Sequence, residues 1–355
     1  MRVGLVIYGS LDTVSGGYLY DRQLVDYLRR QGDAVEIIAL PWRNYGRHLT
    51  DNLAADLPPR LAGDFDVLLQ DELCHPSLAW ANGRFARRAP VVAIVHHLRS
   101  SEARPRWQNA LYRGVERRYL RSVDGFIYNS RTTQQSVEAL VGSGRPHVLA
   151  FPGGDRFAPP GASSAEPAGG PLRLLFVGNI IPRKGLHVLL AALALVRADW
   201  RLSVVGRAAD AAYAWRMAAL ATRPPLAGRV AWHGALSDAA LAVEMAAAQV
   251  MVVPSDYEGF GIVYLEGMAF GLPAIATTSG AAAELISDGV DGYLIPLGDA
   301  AALAERITTL AGDRARLDRM SAAARLRFAR QPTWDESCAA IRGYLLDITK
   351  GSARD

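Results

Sequence analysis

Lysine is almost missing from this chain: of its 39 Lys and Arg residues only Lys184 and Lys350 are lysines. The imbalance reads as a coding bias, and a net charge of +4 over 355 residues gives no reason to expect a nucleic-acid partner. Cysteine is equally scarce. Cys74 and Cys338 stand far apart without metal-type spacing, so neither a disulfide framework nor a zinc site is expected, and reducing cytoplasm is the default location. No run of 18 apolar residues occurs, which argues against a membrane-spanning helix. Arg2 to Tyr8 is too short for a signal-peptide core and is followed at once by Gly9 and Ser10. The expected protein is soluble, or at most rests on the inner face of a membrane.

What is present is an alternation of short apolar runs with amphipathic stretches. Strands are expected at Val3–Tyr8, Ala34–Leu40, Val67–Gln70, Val91–Val95, Gly125–Tyr128 and His147–Ala150. After Val3–Tyr8 comes a loop with Gly16 and Gly17, then a helix whose Tyr20, Leu24, Tyr27 and Leu28 share one face, closed by Gly32. This is a Rossmann-like opening. A second series runs through Leu172–Val177, Leu202–Val205, Arg229–Trp232, Val250–Val253, Ala274–Ala276 and Gly292–Ile295. Between the two series, Pro, Gly, Ala and Ser dominate so strongly that no core element is expected. The chain is therefore read as α/β: a Rossmann-like domain over 1–152, a linker over 153–171, a second Rossmann-like domain over 172–330, and a terminal segment over 331–355. Open parallel sheets bind ligands outside the carboxyl ends of their strands, so the site is expected in a cleft where two such domains face each other.

The densest chemistry lies in Ser255-Asp256-Tyr257-Glu258-Gly259-Phe260-Gly261-Ile262-Val263-Tyr264-Leu265-Glu266-Gly267. Glu258 falls in the turn after a buried strand and Glu266 inside the following helix, at most about 12 Å away by helical rise. Gly259 and Gly261 allow close approach of a ligand, and the helix beginning at Ile262 directs unpaired N–H groups towards it. Two acids in so apolar a setting would be costly without a ligand or partner. A nucleotide sugar has the length to engage both. Gly178-Asn179-Ile180-Ile181-Pro182-Arg183-Lys184-Gly185 likewise joins a strand to a helix, and cations at a helix N-terminus are unfavourable unless an anion lies between.

These strings resemble the signature of family-4 retaining glycosyltransferases of the GT-B fold. The resemblance covers nearly the whole chain, strongest over 178–292 and weakest in the acceptor loops over 41–59 and 98–107. It implies a hexosyltransferase that uses a UDP- or GDP-sugar donor with retention, without cofactor or metal. It further implies that Glu258 sits by the sugar, that Arg183 and Lys184 stabilise the departing diphosphate, and that Glu266 binds the ribose. Gly16, Gly17, Gly178, Arg207, Gly234, Leu236, Gly259, Phe260, Gly261 and Ile262 would complete the donor site, although a plain tight turn also explains Gly16 and Gly17. Of His96 and His97, which follow Val91–Val95, His96 is the one implied to touch the sugar; His97 replaces a frequent Asp, which leaves the hydrogen-bond partner of His96 open. Glu284 reads either as part of the family's later glycine-rich segment or as a helix N-terminal acid. The helix from about Trp334 to Ile348 resembles the element that crosses back onto the first domain.

The acceptor is expected to be a saccharide, a lipid or a small metabolite meeting Trp42, Tyr45, Arg99 and Trp107, an aromatic and cationic set. Arg113, Arg117, Arg118 and Arg121 form a helical patch that reads as a solvated face or as a membrane contact. Asp64-Phe65-Asp66 has the form of a metal-binding pair but precedes its strand, so it is read as a loop. The alternatives are a nucleotide-sugar epimerase or sugar phosphorylase on the same fold, or a non-catalytic sugar-binding subunit.

Overall fold

The computed structural model describes residues 1–84, 88–157 and 170–352, which fall into two compact units. The first comprises residues 1–153 and 332–355; the second runs over 154–331.

The first unit is built on a six-stranded, wholly parallel sheet in the order β2-β1-β3-β4-β5-β6. Its strands are β1 Arg2–Tyr8, β2 Ala34–Leu40, β3 Val67–Asp71, β4 Val91–Val95, β5 Gly125–Tyr128 and β6 His147–Leu149. β3 and β4 are buried along their whole lengths, as strands covered on both faces must be, and this is why they read as continuous apolar runs. The closing helix Trp334–Ser352 belongs to this unit. Its Arg342 pairs with buried Asp33 at 2.7 Å, and Ser337 Oγ donates to the Phe151 carbonyl at 2.5 Å. Asp64 and Asp66 both pair with Arg2 at the amino end of the sheet, which disposes of them as a metal-binding motif.

The second unit repeats the plan in the order β12-β11-β10-β7-β8-β9, again all parallel. Here β7 is Leu172–Val177, β8 Trp200–Val205, β9 Val230–Gly234, β10 Val250–Val252, β11 Ala274–Thr277 and β12 Gly292–Ile295. Strand order reverses between β1 and β3 in the first unit and between β7 and β10 in the second. The loops leaving those strands flank the crevices where doubly wound sheets bind ligands.

Two expectations need correction. Residues 153–157 were expected to be linker without a core role, yet Phe157 is only 7% exposed, packs edge-on against Phe270 at 6.1 Å, and anchors the start of the second unit. The rest of the expected linker, 158–169, lies outside the described residues, as do 353–355 of the terminal segment. The stretch 41–59, read as loop, contains helices Tyr45–Asp51 and Leu57–Leu61; Asn44 caps the first by accepting from the Arg47 N–H at 3.0 Å.

Candidate active site

In the second unit, the turns after β7 and β10 interlock. Gly185 adopts a left-handed φ of 70°, and a side chain there would run into the Pro254 carbonyl oxygen. The Asp256 N–H donates to the Arg183 carbonyl at 2.8 Å. This packing brings Lys184 and Glu258 together, Nζ to Oε1 at 2.5 Å, while Ser255 Oγ donates to the same oxygen at 2.6 Å. Arg183 donates to the Tyr257 carbonyl at 2.6 Å. Burial opposes ionisation of Glu258, but the Lys184 and Arg183 charges and the hydrogen bonds from Lys184 and Ser255 outweigh it, bringing the carboxyl down to about 2. Glu258 is thus a fixed anion with Oε1 held and Oε2 making no hydrogen bond among the described residues. The stem of Lys184 runs against Gly178, where a Cβ would meet its Cε at 3.4 Å.

The helices that leave these turns, Leu186–Leu193 and Ile262–Ala269, both start from a left-handed glycine and have no side-chain cap. Helices starting at Gly16, Arg131, Ala211, Asp238 and Ala300 are instead capped by a Ser or Asp side chain. The two uncapped starts flank the cation-bearing turn, as an anion site requires. Gly185→Ala is expected to lower the unfolding free energy by at least about 2 kcal/mol, since the left-handed cost and the overlap add. Urea unfolding followed by tryptophan fluorescence checks this.

Glu266, 4% exposed, has a partner the sequence did not disclose: Arg156 Nη1 reaches its Oε1 at 2.8 Å. Arg156 also pairs with Asp238 at 2.5 Å and stacks over Phe157 at 4.8 Å. Burial raises the Glu266 carboxyl even so. Again one carboxylate oxygen is held, and Oε2 makes no hydrogen bond among the described residues. The other expected donor residues lie nearby in the chain but contribute differently. Phe260 is buried at 3% exposure, so its role there is backbone or packing. Gly261 has φ 91° and lies against Tyr264; Gly280, outside the expected set, has φ 74° and fits beneath the Glu258 backbone, where any side chain would collide. Arg207 and Gly234 are exposed and Leu236 is half-buried, at the ends of β8 and β9.

In the first unit, His96 follows β4 directly. Its Nε2 lies 3.2 Å from Oδ1 of Asp21, a fully buried acid on the Gly16–Arg30 helix. Asn129 and Thr133 donate to the His96 carbonyl at 3.0 and 3.2 Å and fix the turn. His97 is engaged elsewhere, with Glu102 at 2.9 Å. A Cβ at Gly17 would stand 3.1 Å from the His96 ring, so this glycine makes room for the imidazole; Ser15 caps the helix by accepting from the Tyr18 N–H at 3.3 Å. Close packing of His96 is therefore a second reason for Gly17 besides phosphate approach.

Of the four acceptor residues, the structure unites two. The Arg99 guanidinium lies over the rings of both Tyr45, at 5.1 Å, and Tyr112, at 4.9 Å. Trp42 and Trp107 remain outside this group, 61% and 72% exposed. Beneath it, Glu72, His75 and Glu116 bring ligand-type atoms within 4.8 Å of one another. Both His75 nitrogens are already hydrogen-bonded, Nδ1 to the Glu72 carbonyl at 3.0 Å and Nε2 to Tyr45 Oη at 3.1 Å. Both imidazole nitrogens of that group are therefore engaged within the protein.

Two Rossmann-like units, the second with uncapped, glycine-started helices after β7 and β10, define the GT-B class of fold. Comparison with known proteins narrows the class. Residues 16–152 match the family described as Glycosyltransferase Family 4 and residues 171–313 the family described as Glycosyl transferases group 1, together more than half of the chain. The chain belongs to the family-4 glycosyltransferases of the GT-B fold. It is 31% identical to the D-inositol 3-phosphate glycosyltransferase of Xylanimonas cellulosilytica over 66% of this chain and 60% of that protein. It is 29% identical to the phosphatidyl-myo-inositol mannosyltransferase of Mycobacterium leprae over 87% of each. Among solved structures, sucrose-phosphate synthase from Thermosynechococcus elongatus superposes with a TM-score of 0.84 over 99% of both chains at 22% identity. Anabaena HepE in complex with UDP and glucose superposes with 0.78 over 98% of this chain and all of that one at 19% identity.

Proposed function

We propose that this protein transfers a hexose-type sugar from a UDP- or GDP-sugar to a hydroxyl group with retention of configuration, without a metal. The observation that carries the reading is the Lys184–Glu258 pair at 2.5 Å between two uncapped helix starts. As the glycosidic bond breaks, negative charge gathers on the diphosphate, where Arg183, Lys184 and the two helix N-termini would meet it, and positive charge develops on the sugar carbon, which Glu258 would flank. The new bond forms between that carbon and the acceptor oxygen, and the acceptor proton passes to the departing phosphate oxygen. Glu266 takes the ribose hydroxyls through Oε2, and His96 holds the sugar. HepE, of the same fold, was solved with UDP-glucose, which supports a nucleotide-sugar donor.

Arg156 keeps Glu266 ionised in this reading. Arg156→Ala is expected to weaken nucleotide diphosphate binding about tenfold, or about 1.4 kcal/mol, and more at pH 6 than at pH 8. The sign follows from burial, which already raises Glu266; without its cation the acid protonates at higher pH and loses the ribose contact as pH falls. Calorimetric titration at both pH values measures this.

On the acceptor side, Arg99 presents a guanidinium stacked on two tyrosines, with Nε buried and unbonded. Two relatives are named for an inositol phosphate and for phosphatidylinositol. Both point to an acceptor bearing a phosphate. The Arg106–Arg121 helix exposes Trp107 and Leu111 beside Arg113, Arg117 and Arg121, while its single acid, Glu116, is buried. This face suits an anionic membrane. Cosedimentation with vesicles containing phosphatidylglycerol, lost in 0.5 M salt or on Trp107→Ala, is the expected result on the order of the Debye screening involved.

The direct test is incubation with UDP-glucose, UDP-GlcNAc, GDP-mannose and polyols with and without a phosphate. Release of UDP or GDP with an α-linked product supports the reading. Free sugar phosphate or an epimerised nucleotide sugar would show a phosphorylase or epimerase instead.

A further inference from the structure

His96, Glu258 and Glu266 follow one pattern: in each, one polar atom is tied to the protein and the other is left over. For His96 the tied atom is Nε2, and the tie is an acid with no exposure at all. Asp21 is unusual in its own right. It sits on a helix face otherwise committed to Tyr18, Leu19, Tyr20, Leu24 and Val25, where an apolar residue would pack at no desolvation cost. Its Oδ2 is buried without a hydrogen bond, so His96 is its only hydrogen-bonded partner among the described residues.

The imidazole is also enclosed in a way that fixes its orientation. Tyr20 meets the ring edge-on at 5.4 Å, and Gly17 lies so close that a Cβ there would stand 3.1 Å from Cδ2. The groups that face it are Asp21 and Tyr20 from the helix, Asp71 and Glu72 from the end of β3, and His97, its own neighbour, which is paired with Glu102. Asp71 is 2% exposed, and its nearest ligand atom lies within 4.8 Å of those of Asp21 and His96. Among the described residues, the charges that act most strongly on this histidine come from three acids, Asp21, Asp71 and Glu72.

We propose that Asp21 is a positioning residue that holds His96 as an imidazolium, with Nε2–H given to Asp21 and Nδ1–H presented as a charged donor to an oxygen of the bound substrate. Nδ1 makes no hydrogen bond among the described residues and, unlike Asp21 Oδ2, is not among the buried atoms left unbonded. A neutral histidine tied at Nε2–H would offer a lone pair at Nδ1 and could only accept; a charged one donates. The direction of charge agrees: burial opposes protonation of His96, but Asp21 and then Asp71 and Glu72 outweigh it and push the imidazole up to about 9. Burial, with the Asp21 charge beside it, correspondingly raises the Asp71 carboxyl. The inference rests on the glycosyltransferase reading only for the identity of the substrate.

The protein has seven histidines, so selective ¹³Cε1-histidine labelling gives seven signals, and His96→Gln assigns the one in question. In the wild-type protein, without any substrate, the His96 signal is expected to titrate near 9 rather than 6.5. Asp21→Asn preserves shape and is expected to lower that midpoint by about two units. The alkaline limb of donor turnover should move down in step. A wild-type midpoint near the ordinary value, or one that Asp21→Asn leaves in place, would overturn the proposal. Should Asp21→Asn not fold, the wild-type titration decides alone. A raised midpoint in a protein that transfers no sugar from any donor would keep the charged histidine and discard the transferase reading.

Discussion

Glu258→Gln is expected to reduce the turnover number about 10²- to 10³-fold while leaving nucleotide diphosphate affinity within a few-fold of wild type. The substitution keeps the side chain's shape and its contact with Ser255, so the turn after β10 and the helix start at Ile262 persist. What disappears is the negative charge. Lys184 and Arg183 hold the Glu258 carboxyl down to about 2, so it is ionised at neutral pH, and in the proposed reaction that charge faces the carbon where positive charge develops. In the proposed site other groups hold the nucleotide, so affinity should be largely spared and the loss should fall on the chemical step. Steady-state kinetics with the accepted donor, together with nucleotide titration, separate the two. Full transfer activity in the variant would remove Glu258 from the mechanism.

Lys184→Met is the second large effect, and it falls on stability. The pair is mostly buried, with side chains 15% and 11% exposed, and removing the ammonium leaves a buried carboxylate whose one remaining hydrogen-bond donor among the described residues is Ser255. Breaking such a pair costs about 3–5 kcal/mol. The pH dependence has a definite sign. A carboxyl whose folded pKa is depressed from 4.5 to about 2 stabilises the protein above the unfolded value, and that stability is lost as pH falls through this window. In Lys184→Met this acid-labile contribution should shrink sharply, because the folded pKa of Glu258 rises towards or beyond the unfolded one. Urea unfolding of both proteins between pH 7 and 3 measures the difference.

Much of this architecture was legible because buried parallel strands are written as uninterrupted apolar runs. β4, Val-Val-Ala-Ile-Val, can hardly be anything else, and glycine-bearing turns after such runs mark where a doubly wound sheet binds its ligand. Glu258, Lys184 and His96 were accessible for the same reason: each sits one to several residues past a strand, in a local string. What stayed hidden is what depends on distant pairing. Arg156 lies in a stretch of glycine, proline and alanine that looks like linker, and its partner Glu266 is 110 positions away. Asp21 appears in sequence as one more polar residue of an amphipathic helix, and only the fold shows that it points inward at a histidine 75 positions on. The helix at Tyr45–Asp51 escaped because seven residues with only two buried side chains carry little periodic signal.

The claim that the second unit is a nucleotide diphosphate sugar site is tested most directly by calorimetric titration of UDP, GDP and ADP into the wild-type protein and into Glu266→Ala. The account predicts that UDP or GDP binds, and that its affinity falls about tenfold or more in the variant, the loss of about 1.4 kcal/mol or more from the ribose contact. Absence of binding by every diphosphate, or equal binding by both proteins, would contradict it.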